Sequence, residues 1–169
     1  MIKSGILTIS DSCYRGLRSD GSGQAIRELL DAELFNVNLY EVVPDERIVI
    51  TGRLTSWALK VDLILTTGGT GLGRYDVTPE ATLEVLDRQA PGLSELMRSE
   101  SVRITPMAAL SRAVAGTKGQ CLIINLPGSP KAVVECLNVL LPLIPHAVET
   151  IHGPVEHHPV RDDTASAES

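Results

Sequence analysis

The sequence predicts a three-layer α/β domain, a mostly parallel sheet with helices on both faces and room for one antiparallel edge strand. Two observations carry this. Short apolar, partly β-branched runs alternate with segments whose apolar residues recur at helical spacing, which is the pattern of βαβ units. Such units join parallel strands through right-handed crossovers. The turn Ala115-Gly116-Thr117-Lys118-Gly119 before the last apolar run allows a local hairpin, and so one antiparallel edge.

Gly5–Ile9 is short and apolar and reads as a buried strand. Gly23–Ala32 follows with Ile26, Leu29 and Leu30 at helical spacing. Val37–Val43 alternates as a strand until Pro44. Ile48–Leu59 reads as a helix through Ile50, Leu54, Trp57 and Ala58, weakened by Gly52. Asp62–Thr67 is the next strand, closed by Gly68-Gly69. Thr78 suits an N-cap with Pro79 at the first helical position, predicting a helix to about Arg88. Leu93–Glu100 and Pro106–Ala113 look helical, Gln120–Asn125 is the last apolar strand, and Pro130–Leu141 is an amphipathic helix. These elements predict one domain over residues 1–152, followed by a polar tail, 153–169, expected to be disordered.

Composition narrows the function. The 169 residues suit a single domain, and 43% hydrophobic residues are enough for a core. The net charge is −6, about half of it in the tail, where four acids face Arg161 alone. No basic stripe exists for nucleic acid, and 3% aromatics leave no stacking platform. No apolar run approaches the ~18 residues of a membrane span, and the N-terminus has no signal-peptide pattern, so a cytoplasmic protein is expected. Cys13, Cys121 and Cys136 lack metal or redox spacing and read as structural thiols.

Ligands of an open parallel sheet bind outside the carboxyl ends of its strands. Four predicted strands end in polar turn motifs: Ser10-Asp11-Ser12, Pro44-Asp45-Glu46, Thr66-Thr67-Gly68-Gly69-Thr70-Gly71 and Asn125-Leu126-Pro127-Gly128-Ser129-Pro130. The Gly68–Gly71 loop removes β-carbons where backbone N–H groups can approach an anion, though it is no Walker A loop. The predicted helix starts at Pro79 and Pro130 add partial positive charge. Asp45 and Asp76, just past strand ends, are hard oxygen ligands of the kind that hold Mg²⁺ together with substrate phosphates. Arg74 and Lys131 are the bases best placed to meet phosphate. His146 and His152 read as packing or surface residues, and His157-His158 as part of a solvated tail. Neither a Ser-His-Asp triad nor a zinc cluster is evident.

Five ordered motifs carry a resemblance over residues 4–152. They are S-D-S-C-Y-R at Ser10–Arg15, V-P-D-E at Val43–Glu46, T-T-G-G-T-G-L-G-R-Y-D-V-T-P-E-A-T at Thr66–Thr82, L-S-R at Leu110–Arg112 and L-I-I-N-L-P-G-S-P-K-A-V at Leu122–Val133. The chain resembles the MogA-like family of molybdopterin adenylyltransferases, which includes the gephyrin G domain and its plant counterpart. The resemblance implies Mg²⁺-dependent transfer of AMP from ATP to molybdopterin, releasing pyrophosphate. It implies Asp45 and Asp76 as catalytic, metal-associated residues. Thr70, Ser111 and Asn125 match positions for substrate or nucleotide binding, with Ser10, Gly68, Gly69, Gly71, Gly128 and Ser129 in the same pocket. It also implies a homotrimer, and a molybdenum-insertion protein or domain that takes the product.

One departure stands out. Relatives carry Arg directly before the D-V-T-P aspartate, whereas Tyr75 stands there, with Arg74 one residue earlier. A phenol cannot clamp phosphate as a guanidinium does. Two other functions remain open: a non-catalytic trimeric molybdopterin-binding or scaffold module, and a nucleotide hydrolase on the same fold. ATP binding without pyrophosphate release marks the first, and ATP turnover without molybdopterin the second.

Overall fold

The structure is a computed structural model and describes residues 1–153. The predicted tail beyond Gly153, with His157-His158, lies outside the described residues. Elements run β1 (Ile2–Ile9), α1 (Asp11–Tyr14), α2 (Gly21–Leu29), β2 (Phe35–Val43), α3 (Arg47–Trp57), β3 (Leu63–Thr67), α4 (Thr78–Val85), β4 (Arg88–Gln89), α5 (Pro91–Ser101), a 3₁₀ turn (Pro106–Leu110), β5 (Ala115–Lys118), β6 (Cys121–Leu126), α6 (Pro130–Leu140) and α7 (Ile144–His152). The sheet has six strands in the order β2-β1-β3-β6-β5-β4. The first four are mutually parallel, with Ile6 opposite Leu65 and Leu65 opposite Ile124. β5 runs antiparallel to β6, and β4 to β5, so the local hairpin supplies the expected antiparallel edge.

Side chains of the central strands alternate between the two faces, and each face has its own core. Ile6, Leu63, Leu65, Leu122 and Ile124 face one cluster, completed by Ile26 of α2, Met97 of α5, Val133, Leu137 and Leu140 of α6, and Ile144 of α7. Leu7, Ile9, Ile64 and Ile123 face the other, closed by Ile50, Leu54 and Trp57 of α3 and Ala81 and Val85 of α4. Each fully buried aliphatic side chain contributes about 1.5–3 kcal/mol. Among the described residues no single helix is long and apolar enough to cross a membrane.

Several expected boundaries differ, each for a local reason. α2 starts earlier because the Asp20 carboxylate accepts the Gly23 N–H and caps it. Thr78 is not the N-cap of α4. Val77 takes that position, while the Thr78 hydroxyl donates to the Gly68 carbonyl. α4 stops at Val85 rather than Arg88, because Arg88 and Gln89 pair with β5. Only Pro106–Leu110 of the expected Pro106–Ala113 helix is helical, as a 3₁₀ turn, and Val114 beyond it bonds Asn125. α1 and α7 were not expected. Cys121 and Cys136 are buried as predicted, and burial pushes the Cys121 thiol up to about 12, which leaves it unreactive.

Candidate active site

Because β1, β2, β3 and β6 are parallel, their carboxyl ends share one rim, and the four polar motifs meet there. Past β1, the Ser10 hydroxyl accepts the Cys13 N–H and caps α1. Asp11 and Asp45 exchange bonds across the two strand ends. The Asp11 N–H donates to Asp45 Oδ2 at 2.9 Å, and the Asp45 N–H donates to Asp11 Oδ1 at 3.0 Å. Asp45 is thus held at a defined place with Oδ1 left over.

The Gly68–Asp76 loop is clamped from three sides. Gly68 and Gly69 have φ of +97° and +67°, which only glycine adopts without strain. A β-carbon at Gly68 would overlap the Ile9 carbonyl, and one at Gly69 would overlap the Thr78 hydroxyl. Gly128 packs so closely that its β-carbon would lie 3.3 Å from Gly68 Cα, and the Thr67 hydroxyl donates to the Pro127 carbonyl at 2.7 Å. On the third side stands Arg112, whose Nε donates to Gly71 O and Nη2 to Asp76 O, each at 2.8 Å, while Nη1 bonds Glu80. Asp76 itself turns back on the loop, accepting the Gly73 N–H at 2.9 Å.

Two cavities open on this rim. The larger, about 630 Å³, is bounded by the β1 and β3 ends, Asp45, and the starts of α2 and α6 at Gly21 and Pro130. The smaller, about 440 Å³, lies toward α5 and the 3₁₀ turn, with apolar walls from Met97, Met107, Leu110 and Ala113. They share one wall made of Gly69, Asp76, Gly128 and Ser129. Asp76 is the one carboxylate that lines both; Asp45 faces the larger only.

The predicted residues therefore sort into three groups. Ser10, Gly68, Gly69, Gly128, Ser129, Asp45 and Asp76 line the larger cavity, and Thr70, Gly71 and Ser111 line the smaller. Arg74, Lys131 and Asn125 line neither. The Arg74 guanidinium lies over the Tyr75 ring, 5.4 Å from its centroid, and Lys131 is exposed at the start of α6. Asn125 is fully buried behind the rim. It donates to the Thr66 and Thr82 hydroxyls at 2.9 and 3.0 Å and accepts the Val114 N–H at 3.2 Å. Sequence reasoning missed Arg18 in the larger cavity, Arg98 in the smaller and the start of α2. The capping pattern Asp20-Gly21-Ser22-Gly23 carries a signal for the last; nothing local marks the arginines.

Burial raises the Asp45 carboxyl above the ordinary carboxylate range, and although the Asp11 N–H opposes this, the charges of Asp11 and Asp76 add to the rise. A carboxyl raised by folding stabilises the fold when protonated. Stability is lost as pH climbs from the ordinary carboxylate value through the raised one. Asp45→Asn is therefore expected to melt higher than wild type at neutral pH. The difference should vanish below pH ~4, where the wild-type carboxyl is also neutral. Thermal melts followed by circular dichroism across that range would test it, and equal melting temperatures at neutral pH would refute it.

The comparisons with known proteins agree with this geometry. Residues 5–146 match the family described as "Probable molybdopterin binding domain". The molybdopterin adenylyltransferase of Helicobacter pylori is 45% identical over 156 residues, covering 90% of this chain and 89% of that protein. The molybdenum cofactor synthesis protein cinnamon of Drosophila melanogaster is also 45% identical, over 89% of this chain, but the chain spans only 26% of its length. Among solved structures, the molybdopterin biosynthesis enzyme MoaB of Thermus thermophilus superposes with a TM-score of 0.86 at 55% identity, covering 90% of this chain and 98% of that one. With its sheet order, its clamped glycine loop and these matches, the chain belongs to the molybdopterin-binding family of molybdenum cofactor biosynthesis that includes the molybdopterin adenylyltransferases.

Proposed function

We propose that the protein is a molybdopterin adenylyltransferase that transfers AMP from ATP to the terminal phosphate of molybdopterin and releases pyrophosphate. The observation that carries this is the pair of cavities meeting at one carboxylate-bearing wall. The larger cavity, with two helix N-termini and a glycine loop aimed into it, suits the triphosphate of ATP. The smaller, with its apolar walls, suits the flat pterin. Reacting phosphates brought in from either side meet at Asp76, Gly69 and Ser129.

A phosphate oxygen of molybdopterin attacks the α-phosphorus of ATP. The new P–O bond forms as the bond to pyrophosphate breaks, so no protein nucleophile is needed. The chain supplies position and charge complementarity. Asp45 and Asp76 are the residues that would hold Mg²⁺. No group of three or more His, Cys, Asp or Glu able to hold a metal ion exists among the described residues, so substrate phosphates would complete the coordination, as Mg²⁺ prefers. Burial chiefly, with smaller contributions from the charges of Asp11 and Asp76, raises the Asp45 carboxyl, and a bound cation would offset the cost of its negative charge. When bound, Mg²⁺ supplies neutralisation of the charge spread over the phosphate oxygens. Thr78, Arg112 and the Asp11–Asp45 exchange keep loop and carboxylates in place.

A cytoplasmic homotrimer that hands its product to a molybdenum-insertion protein or domain belongs to the same proposal. Exposed Ile104, Met107 and Leu110 beside the smaller cavity support an assembly face there. The test is incubation with molybdopterin, ATP and Mg²⁺, with mass spectrometry for adenylylated molybdopterin and pyrophosphate. Both products should appear and both should vanish with a chelator. Pterin binding without product would make the protein a binding module. ATP turnover without pterin would make it a hydrolase.

A further inference from the structure

We propose that Arg18 is the side chain that receives the pyrophosphate half of the nucleotide, a role that rests on the nucleotide reading of the larger cavity. Among the residues lining that cavity, Arg18 is the only cationic side chain. The cavity already holds the carboxylates of Asp45 and Asp76. A triphosphate brings more negative charge than one divalent ion cancels, and a cation at its far end offsets part of the remainder.

The other arginines near the rim are engaged, and Lys131, exposed at the start of α6, does not line the cavity. All three guanidinium nitrogens of Arg112 are bonded to the loop and Glu80. Arg98 faces the smaller cavity and donates to the Ser111 and Ala113 carbonyls. Arg18, by contrast, makes no ion pair with any described residue.

Its backbone is held on both sides. The Leu17 N–H donates to the Ser12 carbonyl at 2.9 Å, and Gly16, at φ +72°, makes the turn before it. On the other side Asp20 is locked by the Thr8 hydroxyl at 2.7 Å, by the Tyr40 hydroxyl and by the Gly23 N–H. These ties fix where the backbone of Arg18 stands at the cavity edge, while its side chain is exposed and unpaired among the described residues, free to turn onto an incoming anion. As the α-phosphorus bond breaks, the electron pair leaves on pyrophosphate, and a guanidinium facing those oxygens stabilises the developing charge.

The test is calorimetric titration of wild type, Arg18→Ala and Arg18→Lys with inorganic pyrophosphate, ATP and AMP, each with Mg²⁺, alongside transfer kinetics. Arg18→Ala should weaken pyrophosphate and ATP binding about 10-fold or more, the scale of a charge-assisted contact. AMP affinity, the KM for molybdopterin and the melting temperature should stay at wild-type values, and Arg18→Lys should recover part of the loss. Undiminished pyrophosphate binding by Arg18→Ala would overturn the assignment. So would an equal loss for AMP, which would put the guanidinium at the α-phosphate, or a lowered melting temperature, which would make it a structural residue. A wild-type protein that binds neither ATP nor pyrophosphate would instead overturn the nucleotide reading beneath it.

Discussion

Asp76→Asn is expected to lower the transfer rate roughly 100-fold or more while the protein stays folded, the scale seen when one preorganised electrostatic group is removed. Asparagine keeps the shape of the side chain and an oxygen that can accept the Gly73 N–H, so the loop contact survives. The Arg112 bond to the Asp76 backbone carbonyl is also untouched. What is lost is the negative charge on the wall common to both cavities. Urea unfolding should place the variant within ~0.5 kcal/mol of wild type. Product formation close to wild type would remove Asp76 from the reaction.

Asn125→Ala is expected to act in the opposite way, on stability. Its side chain accepts the Val114 N–H, donates to Thr66 and Thr82, and is fully buried. Alanine leaves that N–H without its acceptor and opens a void beside two hydroxyls. Together these cost about 2–4 kcal/mol. At ~2–4 °C per kcal/mol for a chain of this size, the melting temperature should fall by roughly 5–15 °C. The KM values of the folded fraction should move little. A variant with wild-type stability and a raised KM would instead make Asn125 a ligand contact.

Asn125 also shows what a sequence can tell. The apolar runs, their β-branched content and the polar residues ending them are local properties, so the parallel sheet and its rim were legible from spacing alone. Whether a polar residue at a strand end points outward or backward is set by partners far along the chain. Asn125 points back because Thr66, Thr82 and Val114 wait for it. Thr78 likewise has the pattern of a cap, yet Val77 takes that position and the Thr78 hydroxyl donates to the Gly68 carbonyl instead. Arg74 and Lys131 stand near the glycine loop and α6 in sequence, whereas the base that lines the larger cavity is Arg18, carried there by the β1–α2 connection. The apolar residues of α7 complete a core whose other members lie as far away as Ile6, a pairing that no local pattern announces.

The wall of Gly69, Asp76, Gly128 and Ser129 has a kinetic corollary. On the proposed reading, the two reactants lodge in separate hollows that share this wall. Once joined, they form a single molecule with a foot in each hollow, and it departs only when both let go together. If one half lifts off, the other keeps it tethered and it settles again, so the conjugate resides far longer than either reactant alone. On the proposed reading, the partition that brings two phosphates together also holds the product, poised for transfer rather than release.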